Sequence, residues 1–540
     1  MSKLVQYLGQ NLSGEVSEDS ATREYMSRDG SVLKITPQVV VFPRTTDDIR
    51  KTTRFSWRLA EKGMKLPITP RGYGSDVTGS AIGSGVSMVF PAHMSKVLEL
   101  DTKAKKVRVQ SGINMRTLEE VLVTHGLYLP ASPLNPKNAT LGGSLGTNVA
   151  GPMAATCGDI RKYTEALQVI LSNGELIETR RLSKRELNQK KGLNTLEGEI
   201  YRELDALITE DYDAILSNMG TTPNNNTGYH LWSIKGKDGS FDMTPLLVGS
   251  QGTLAIISQS ILSLEVKSVE TSLMMVALRS TENFDEIISA VNAYNPKIFD
   301  FIDSKTIDWI RDNFKYDPLN GMKLDSIAGI FIIEFDGGNG LHNNRAKKVF
   351  KLFEELGAIV QSAETADDKE DIWALRNMLD NISNYHKNNL RAVVFDAANV
   401  PIEYVPKFYN YANDLIDKRK VTGFVFGRMG MGNVSAMILV DTNKIGHRQA
   451  ILNFGDDLYS TAIKLGGSLS GDSGDGRLRQ ESGRRVYGDQ MLGIFEKVKN
   501  IFDPKGILNP GVVIGTESDD LIRLIDNNPQ LRFVENRPRV

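Results

Sequence analysis

Pro70-Arg71-Gly72-Tyr73-Gly74-Ser75-Asp76-Val77-Thr78-Gly79-Ser80 follows a short apolar run, Met64-Lys65-Leu66-Pro67-Ile68-Thr69, which reads as a buried strand ending in proline. Glycines at 72, 74 and 79 permit positive φ and let main-chain N–H groups approach an anion with no Cβ in the way. Arg71 adds a fixed positive charge. The loop lacks Gly-Lys-Ser/Thr, so it is not a P-loop. Its glycines do not open a helix as a Rossmann fingerprint would, because Val86-Ser87-Met88-Val89-Phe90 returns to strand. Taken alone, the stretch reads equally well as a glycine-rich hairpin with no ligand.

It does not stand alone. Ala139-Thr140-Leu141-Gly142-Gly143-Ser144-Leu145-Gly146-Thr147-Asn148 is a second glycine cluster, and Gly249-Ser250-Gln251-Gly252-Thr253-Leu254-Ala255-Ile256-Ile257-Ser258 is a third. Each lies beside a strand-like apolar run. Three such loops describe a backbone wrapped closely around a large phosphate-bearing ligand.

In order and spacing these segments resemble the flavoprotein family related to vanillyl-alcohol oxidase and p-cresol methylhydroxylase (PCMH). Val39–Pro43 before Thr45–Ile49, Asn226-Thr227-Gly228-Tyr229, Trp373-Ala374-Leu375-Arg376 and Phe502–Gly511 extend the resemblance over almost the whole chain. Its nearest branch is the D-lactate, glycolate and D-2-hydroxyglutarate dehydrogenases. The resemblance implies an α+β fold: a PCMH-type, two-subdomain FAD-binding domain plus an α/β cap domain with an antiparallel sheet. It implies non-covalent FAD held by Pro70, Arg71, Gly72, Tyr73, Gly74, Ser75, Asp76, Pro133, Thr140, Gly142, Gly143, Thr147, Gly158, Ile160, Gly252, Ile257 and Asn509. Cys157 sits outside any known flavin-attachment motif and reads as a buried structural thiol. Asp76 near a pyrophosphate would be repelled unless it accepts backbone N–H groups or points away.

Composition sets limits. At 540 residues the chain is too long for one core. A net charge of −2 with interspersed signs argues against a nucleic-acid surface or a polybasic membrane patch. One cysteine leaves no disulfide framework, Cys-based zinc site or iron–sulfur cluster. The start lacks a signal peptide's apolar core and no apolar run reaches spanning length, so a cytoplasmic location is expected, at most peripheral to a membrane. The expected organisation is an N-terminal arm over 1–35, the FAD domain over 36–265, the cap over 266–465, and a segment over 466–540 that returns to the FAD domain. Helices are expected over Thr46–Lys62, Asn114–His125 and Tyr487–Phe502 from apolar spacing and terminal glycines. No function is read in the last twenty-five residues.

The chemistry departs from the branch. There, His-x-Gly-Asp-Gly-Asn-x-His and Gly-Glu-His-Gly supply metal ligands and a base. The matching segments here are Phe426–Ser435 and Ser470–Gly476. Arg428 and Ser435 stand where the two metal histidines would be, Asp472 stands for the glutamate and Ser473 for the base; Asn433 remains. Neither Arg nor Ser replaces imidazole, and an arginine that stays protonated repels a cation. The expectation is no metal. Arg428, Asp472 and Ser473 are the candidate catalytic positions, and Arg376, Arg428 and Asn433 the candidate substrate contacts, the two arginines as a carboxylate clamp. The competing reading is an Arg428–Asp472 salt bridge filling the vacated site; both can hold at once. Asp472, Asp475 and Tyr229 are candidates for a titratable group at the flavin, and His230 for a flavin-domain contact.

Three functions remain open at this point: an FAD-dependent dehydrogenase of a 2-hydroxy acid, one acting on a sugar, polyol or aldonolactone, or a flavin-binding protein without turnover. No nicotinamide-binding domain is visible, so a quinone, cytochrome, electron-transfer flavoprotein or oxygen is the expected acceptor. The sequence leaves oligomeric state open.

Overall fold

The computed structural model describes the chain except residues 1, 221, 223, 269, 315–326, 338–342, 384–385, 388–389, 516–517 and 527–540. Its first sheet is built from β1 (Glu15–Ser17), β2 (Val39–Phe42), β3 (Ile68–Arg71) and β4 (Val86–Val89), in the order β1-β2-β4-β3. β2 and β3 both run parallel to β4, while β1 pairs antiparallel with β2. Val39, Val40, Val41, Ile68 and Met88 are fully buried, as near-continuous apolar strands covered on both faces require. The helix Thr46–Glu61 crosses between β2 and β3. Thr45 and Asp48 close a capping box at its start, and Gly63, at φ +77°, ends it where the sequence placed the stop.

Segment 1–35 is therefore no arm. Its helices Lys3–Asn11 and Ser20–Met26 and strand β1 pack into the FAD-side unit, and Val5 and Leu8 join the core that holds β2 and β3. The polar composition that suggested an arm belongs to the exposed faces of short amphipathic helices.

The second sheet contains β5 (Val97–Asp101), β6 (Lys106–Gln110), β8 (Thr164–Ile170), β9 (Leu176–Thr179) and β10 (Ile256–Ser263), all antiparallel in the order β5-β6-β10-β8-β9. A two-strand ribbon joins β7 (Leu127–Tyr128) to β11 (Glu265–Val266). The helix Gln480–Phe502 packs its Met491, Ile494, Phe495, Val498 and Ile501 into the same core, the stripe expected from spacing. Gly488, at φ +71°, breaks it into two helical stretches, which explains why the apolar periodicity starts only near Tyr487.

Eight strands make the third sheet: β12 (Thr271–Leu278), β13 (Ile298–Asp303), β14 (Gly329–Asp336), β15 (Ile359–Ser362), β16 (His386–Lys387), β17 (Leu390–Asn399), β18 (Thr422–Arg428) and β19 (Asn433–Val440). They run antiparallel in the order β15-β12-β14-β13-β18-β19-β17-β16. One face buries a cluster of rings, Phe284, Phe299, Phe301, Phe331 and Tyr409, against the helices Phe284–Asn292, Asn344–Glu355 and Val405–Arg419. The other face carries Leu273, Ile302, Ile330, Ile332 and Met437 against the helices Ser304–Asn313 and Ala366–Ser383. Arg376, from the latter helix, reaches the sheet on this face.

The chain ends hold one another. Lys34 N–H donates to Leu524, Asp526 N–H donates to Val32, and the Asp526 carboxylate pairs with Arg28 at 2.5 Å. Arg391 of β17 approaches the same carboxylate and donates to the Ser31 and Val32 carbonyls. Residues 518–526 therefore have a structural role, although composition showed none; 527–540 lie outside the described residues.

Candidate active site

The three glycine loops converge. An added Cβ on Gly72 would lie 2.2 Å from Thr140 Oγ1, and one on Gly252 would lie 2.4 Å from Pro70 Cγ. First, second and third loops thus touch at positions where only glycine fits. Thr140 caps the helix Leu141–Thr147 through the Gly143 N–H, Gly142 N–H donates to Ser111, and Thr147 donates to Gly143. Asn509, near the chain's end, ties the loops from behind: its side-chain amide donates to Ser80 and Gln251, and its Oδ1 accepts from Thr69. Gly252, at φ +71°, and Gly74, at φ +73°, use conformations that favour glycine.

Two charged side chains of the first loop turn inward. Arg71 is buried and turned inward, donating to the carbonyls of Met26, Arg28 and Ala81, so it braces the loop and does not aim its charge at a phosphate. Asp76 accepts from the N–H groups of Thr78 and Ser80 and from Thr78 Oγ1, so its charge is spent within its own turn. Among the described residues, the main-chain N–H groups of Gly72, Gly74 and Ser75 meet no acceptor in the chain. Three such donors on a glycine loop are a nest that fits a diphosphate. The loop residues therefore fit FAD. Of the remaining carried-over positions, Gly158, at φ +80°, ends a short helix, Ile160 is core, and the Ile257 carbonyl accepts from Ser111. Pro133 is half-buried in the stretch between β7 and that second loop.

On the cap side, Arg428 ends β18 and pairs with Asp472 at 2.5 Å. Asp472 also accepts from the N–H groups of Ala150 and Gly151, at 3.1 and 3.0 Å, just past the second glycine loop. Burial pushes its carboxyl up, but Arg428 and the two N–H groups outweigh this and hold it below the usual range. Arg376 pairs with Asp300 of β13, and Asp300 lies directly across the β13–β18 ladder from Arg428, on the same face. Burial raises the Asp300 carboxyl against the pull of Arg376 and Arg428. Two arginines and two aspartates thus form a buried quartet of no net charge where the resemblance would put a metal.

The predicted substrate contacts look different in this setting. Arg376 is engaged by Asp300, and Asn433 donates to Asn399 Oδ1, bracing β19 against β17. Ser473 accepts from Arg479. Tyr229 is core, bonded to Thr253 and edge-on to Phe495, and His230 bonds Ser233 beside Trp232; burial holds its imidazole well below its usual pKa. Asp475 accepts from Gly228 N–H, and burial raises its carboxyl to about 7. Cys157 is half-buried and in no disulfide. Asp300 escaped the sequence reading. The signal was present in Ile298-Phe299-Asp300-Phe301-Ile302, where one acid interrupts an apolar strand, but nothing in the sequence pairs it with Arg376 or Arg428.

The donor set does not fit a metal. Asp472 is already committed to an arginine and two N–H groups, and the Arg428 guanidinium stands beside it. Among the described residues, no group of three His, Cys, Asp or Glu side chains is placed to hold a metal ion.

Comparison with known proteins agrees with this architecture. An FAD binding domain matches residues 37–180 and the C-terminal domain of FAD linked oxidases matches 270–513. D-2-hydroxyglutarate dehydrogenase of Haemophilus influenzae is 26% identical over 523 residues, covering 93% of this chain and 50% of the relative. The chain thus spans about half the length of the first curated relatives it matches. D-lactate dehydrogenase of Archaeoglobus fulgidus is 24% identical over 480 residues, covering 88% of this chain and 91% of that one. Among solved structures, 4-ethylphenol oxidase from Gulosibacter chungangensis superposes with a TM-score of 0.65 at 14% identity, over 95% of this chain and 97% of the other. The chain thus carries an FAD binding domain followed by the C-terminal domain of FAD linked oxidases, on a fold shared with that oxidase structure.

Proposed function

We propose that this protein oxidises the CH–OH group of a 2-hydroxy acid, of D-lactate or D-2-hydroxyglutarate type, without a metal ion. The observation that carries the reading is the match, along nearly the whole of both chains, to a D-lactate dehydrogenase. Bound non-covalently, FAD supplies the two-electron acceptor that takes the carbinol hydrogen as hydride. The Gly72, Gly74 and Ser75 N–H groups would hold its diphosphate. The paired arginines supply fixed positive charge beside the substrate's carboxylate and its developing alkoxide, the duty a metal performs in relatives that bind one.

One observation favours a second reading. Both candidate arginines already have aspartate partners, so the quartet has no surplus positive charge for an incoming carboxylate. A sugar, polyol or aldonolactone would place no such demand on the site. The electron acceptor we assign is a quinone, a cytochrome or an electron-transfer flavoprotein. No helix among the described residues is long and apolar enough to cross a membrane.

Turnover with an artificial dye acceptor tests the choice. D-Lactate, D-2-hydroxyglutarate or glycolate should each be offered beside aldonolactones and polyols, with the 2-oxo acid measured as product. Formation of a 2-oxo acid supports the first reading; turnover only with uncharged substrates replaces it with the second.

A further inference from the structure

Family resemblance leaves the proton unaccounted for. Oxidising a carbinol removes a hydroxyl proton as well as a hydride, and the position of the branch's histidine base holds Ser473, which lies under Arg479. Serine cannot store a proton at neutral pH. The base must come from elsewhere.

We infer that Asp300 takes the substrate hydroxyl proton, using the carboxylate oxygen that Arg376 leaves open. Its Oδ2 pairs with Arg376, and its Oδ1 has no hydrogen-bond partner among the described residues although the residue is only 6% exposed. A buried carboxylate oxygen without a donor is costly unless a ligand supplies one. A hydroxyl donor satisfies it. Asp300 is also one rung from Arg428 and, through Arg428, one ion pair from Asp472, which rests on the backbone beside the second glycine loop. That chain of contacts links Asp300 to the backbone just past the second glycine loop.

The groups around it suit the role. Arg376 reaches Asp300 from the helix Ala366–Ser383, Arg428 from β18, Asp472 from the segment after Leu469, and Glu334 sits on β14 on the same sheet face. The two arginines keep the carboxylate ionised enough to accept a proton, while burial makes it more basic than a surface aspartate. Atoms balance: the O–H proton goes to Asp300 Oδ1, the C–H pair leaves as hydride to FAD, and the carbinol C–O becomes a carbonyl. This inference rests on the proposed oxidation of a CH–OH group.

The test compares the FAD-loaded parent with Asp300→Asn and Asp300→Glu. Flavin content of Asp300→Asn should match the parent, while substrate-driven flavin reduction falls by about 10²-fold or more and loses the acid limb of its pH profile. Asp300→Glu should recover part of the rate, with the limb present but displaced along the pH axis from the parent's. A second readout needs no substrate: infrared difference spectra of the loaded parent, taken between about pH 4 and about pH 8, should contain a carboxyl band that Asp300→Asn removes. A rate within about threefold of the parent, with the acid limb intact, overturns the assignment. So does an infrared spectrum that Asp300→Asn leaves unchanged. Should Asp300→Asn fail to fold, Asp300→Glu decides, and a limb at the parent's position overturns the assignment. Should no alcohol reduce the parent, the proposed function falls by itself and the infrared band decides for Asp300 alone.

Discussion

Replacing Arg428 with methionine removes one partner of a buried pair while keeping much of the side chain's volume. Breaking such a pair costs about 3–5 kcal/mol, because the remaining charge is left without its partner. Here the low end applies. Asp472 keeps the Ala150 and Gly151 N–H groups, and both members of the pair retain slight exposure, 11% and 13% of their side chains. We expect about 3 kcal/mol for Arg428→Met and about 2 kcal/mol for Asp472→Asn, which leaves Arg428 beside Asp300. The double variant should cost about 3 kcal/mol, a coupling of about 2 kcal/mol. Urea unfolding of the FAD-loaded protein, followed by flavin fluorescence, measures all three against the parent. Losses that add to within about 0.5 kcal/mol would show that the two residues do not act as a pair, and the quartet would lose its central link.

Other consequences are equally direct. Gly252→Ala would force a side chain onto a φ of +71° and against the Pro70 ring, so the purified variant should carry clearly less FAD per chain than the parent. The Asp475 carboxyl titrates near 7 when folded, above its ordinary value; the folded state therefore binds the proton more tightly, and stability falls as pH rises from about 4 through about 7. Melting temperatures measured across that window should fall in the parent, and Asp475→Asn should flatten the slope and be the more stable protein above it. Asp526→Asn leaves buried Arg391 without its carboxylate and Arg28 with Glu24 alone, and should lower stability by about 2 kcal/mol, with the ends of the chain becoming more accessible to limited proteolysis.

Much of the flavin side was legible because its information is local. A glycine that admits no Cβ, a Thr that caps a helix and an apolar strand each announce themselves within a few residues. Gly72, Thr140 and Gly252 are separated along the chain, yet each carries its own signal. Arg71 misled for the same reason: it sits in the first glycine loop by sequence, but burial turns its side chain inward, whereas Asp76 accepts backbone N–H groups, one of the two ways its charge could be accommodated there. The cap side was harder to read. Loss of the histidines was visible, and an Arg428–Asp472 pair was among the readings, since both positions change together in the two motifs that would supply the metal ligands. Asp300 was not, because its partners come from a helix and a strand more than seventy residues away and only β-sheet register brings them together. The clasp between Arg28 and Asp526 has the same character, joining opposite ends of the chain through contacts that no local pattern encodes.

The central claim is that a metal-free ion-pair quartet serves a working flavin oxidoreductase. Anaerobic titration of the chelator-treated, FAD-loaded protein with D-lactate, D-2-hydroxyglutarate or glycolate tests it most directly, with metal content measured on the same sample. One of these acids should bleach the oxidised-flavin absorbance of protein that holds no stoichiometric metal. Bleaching that disappears on chelation and returns with added zinc, iron or manganese would contradict it.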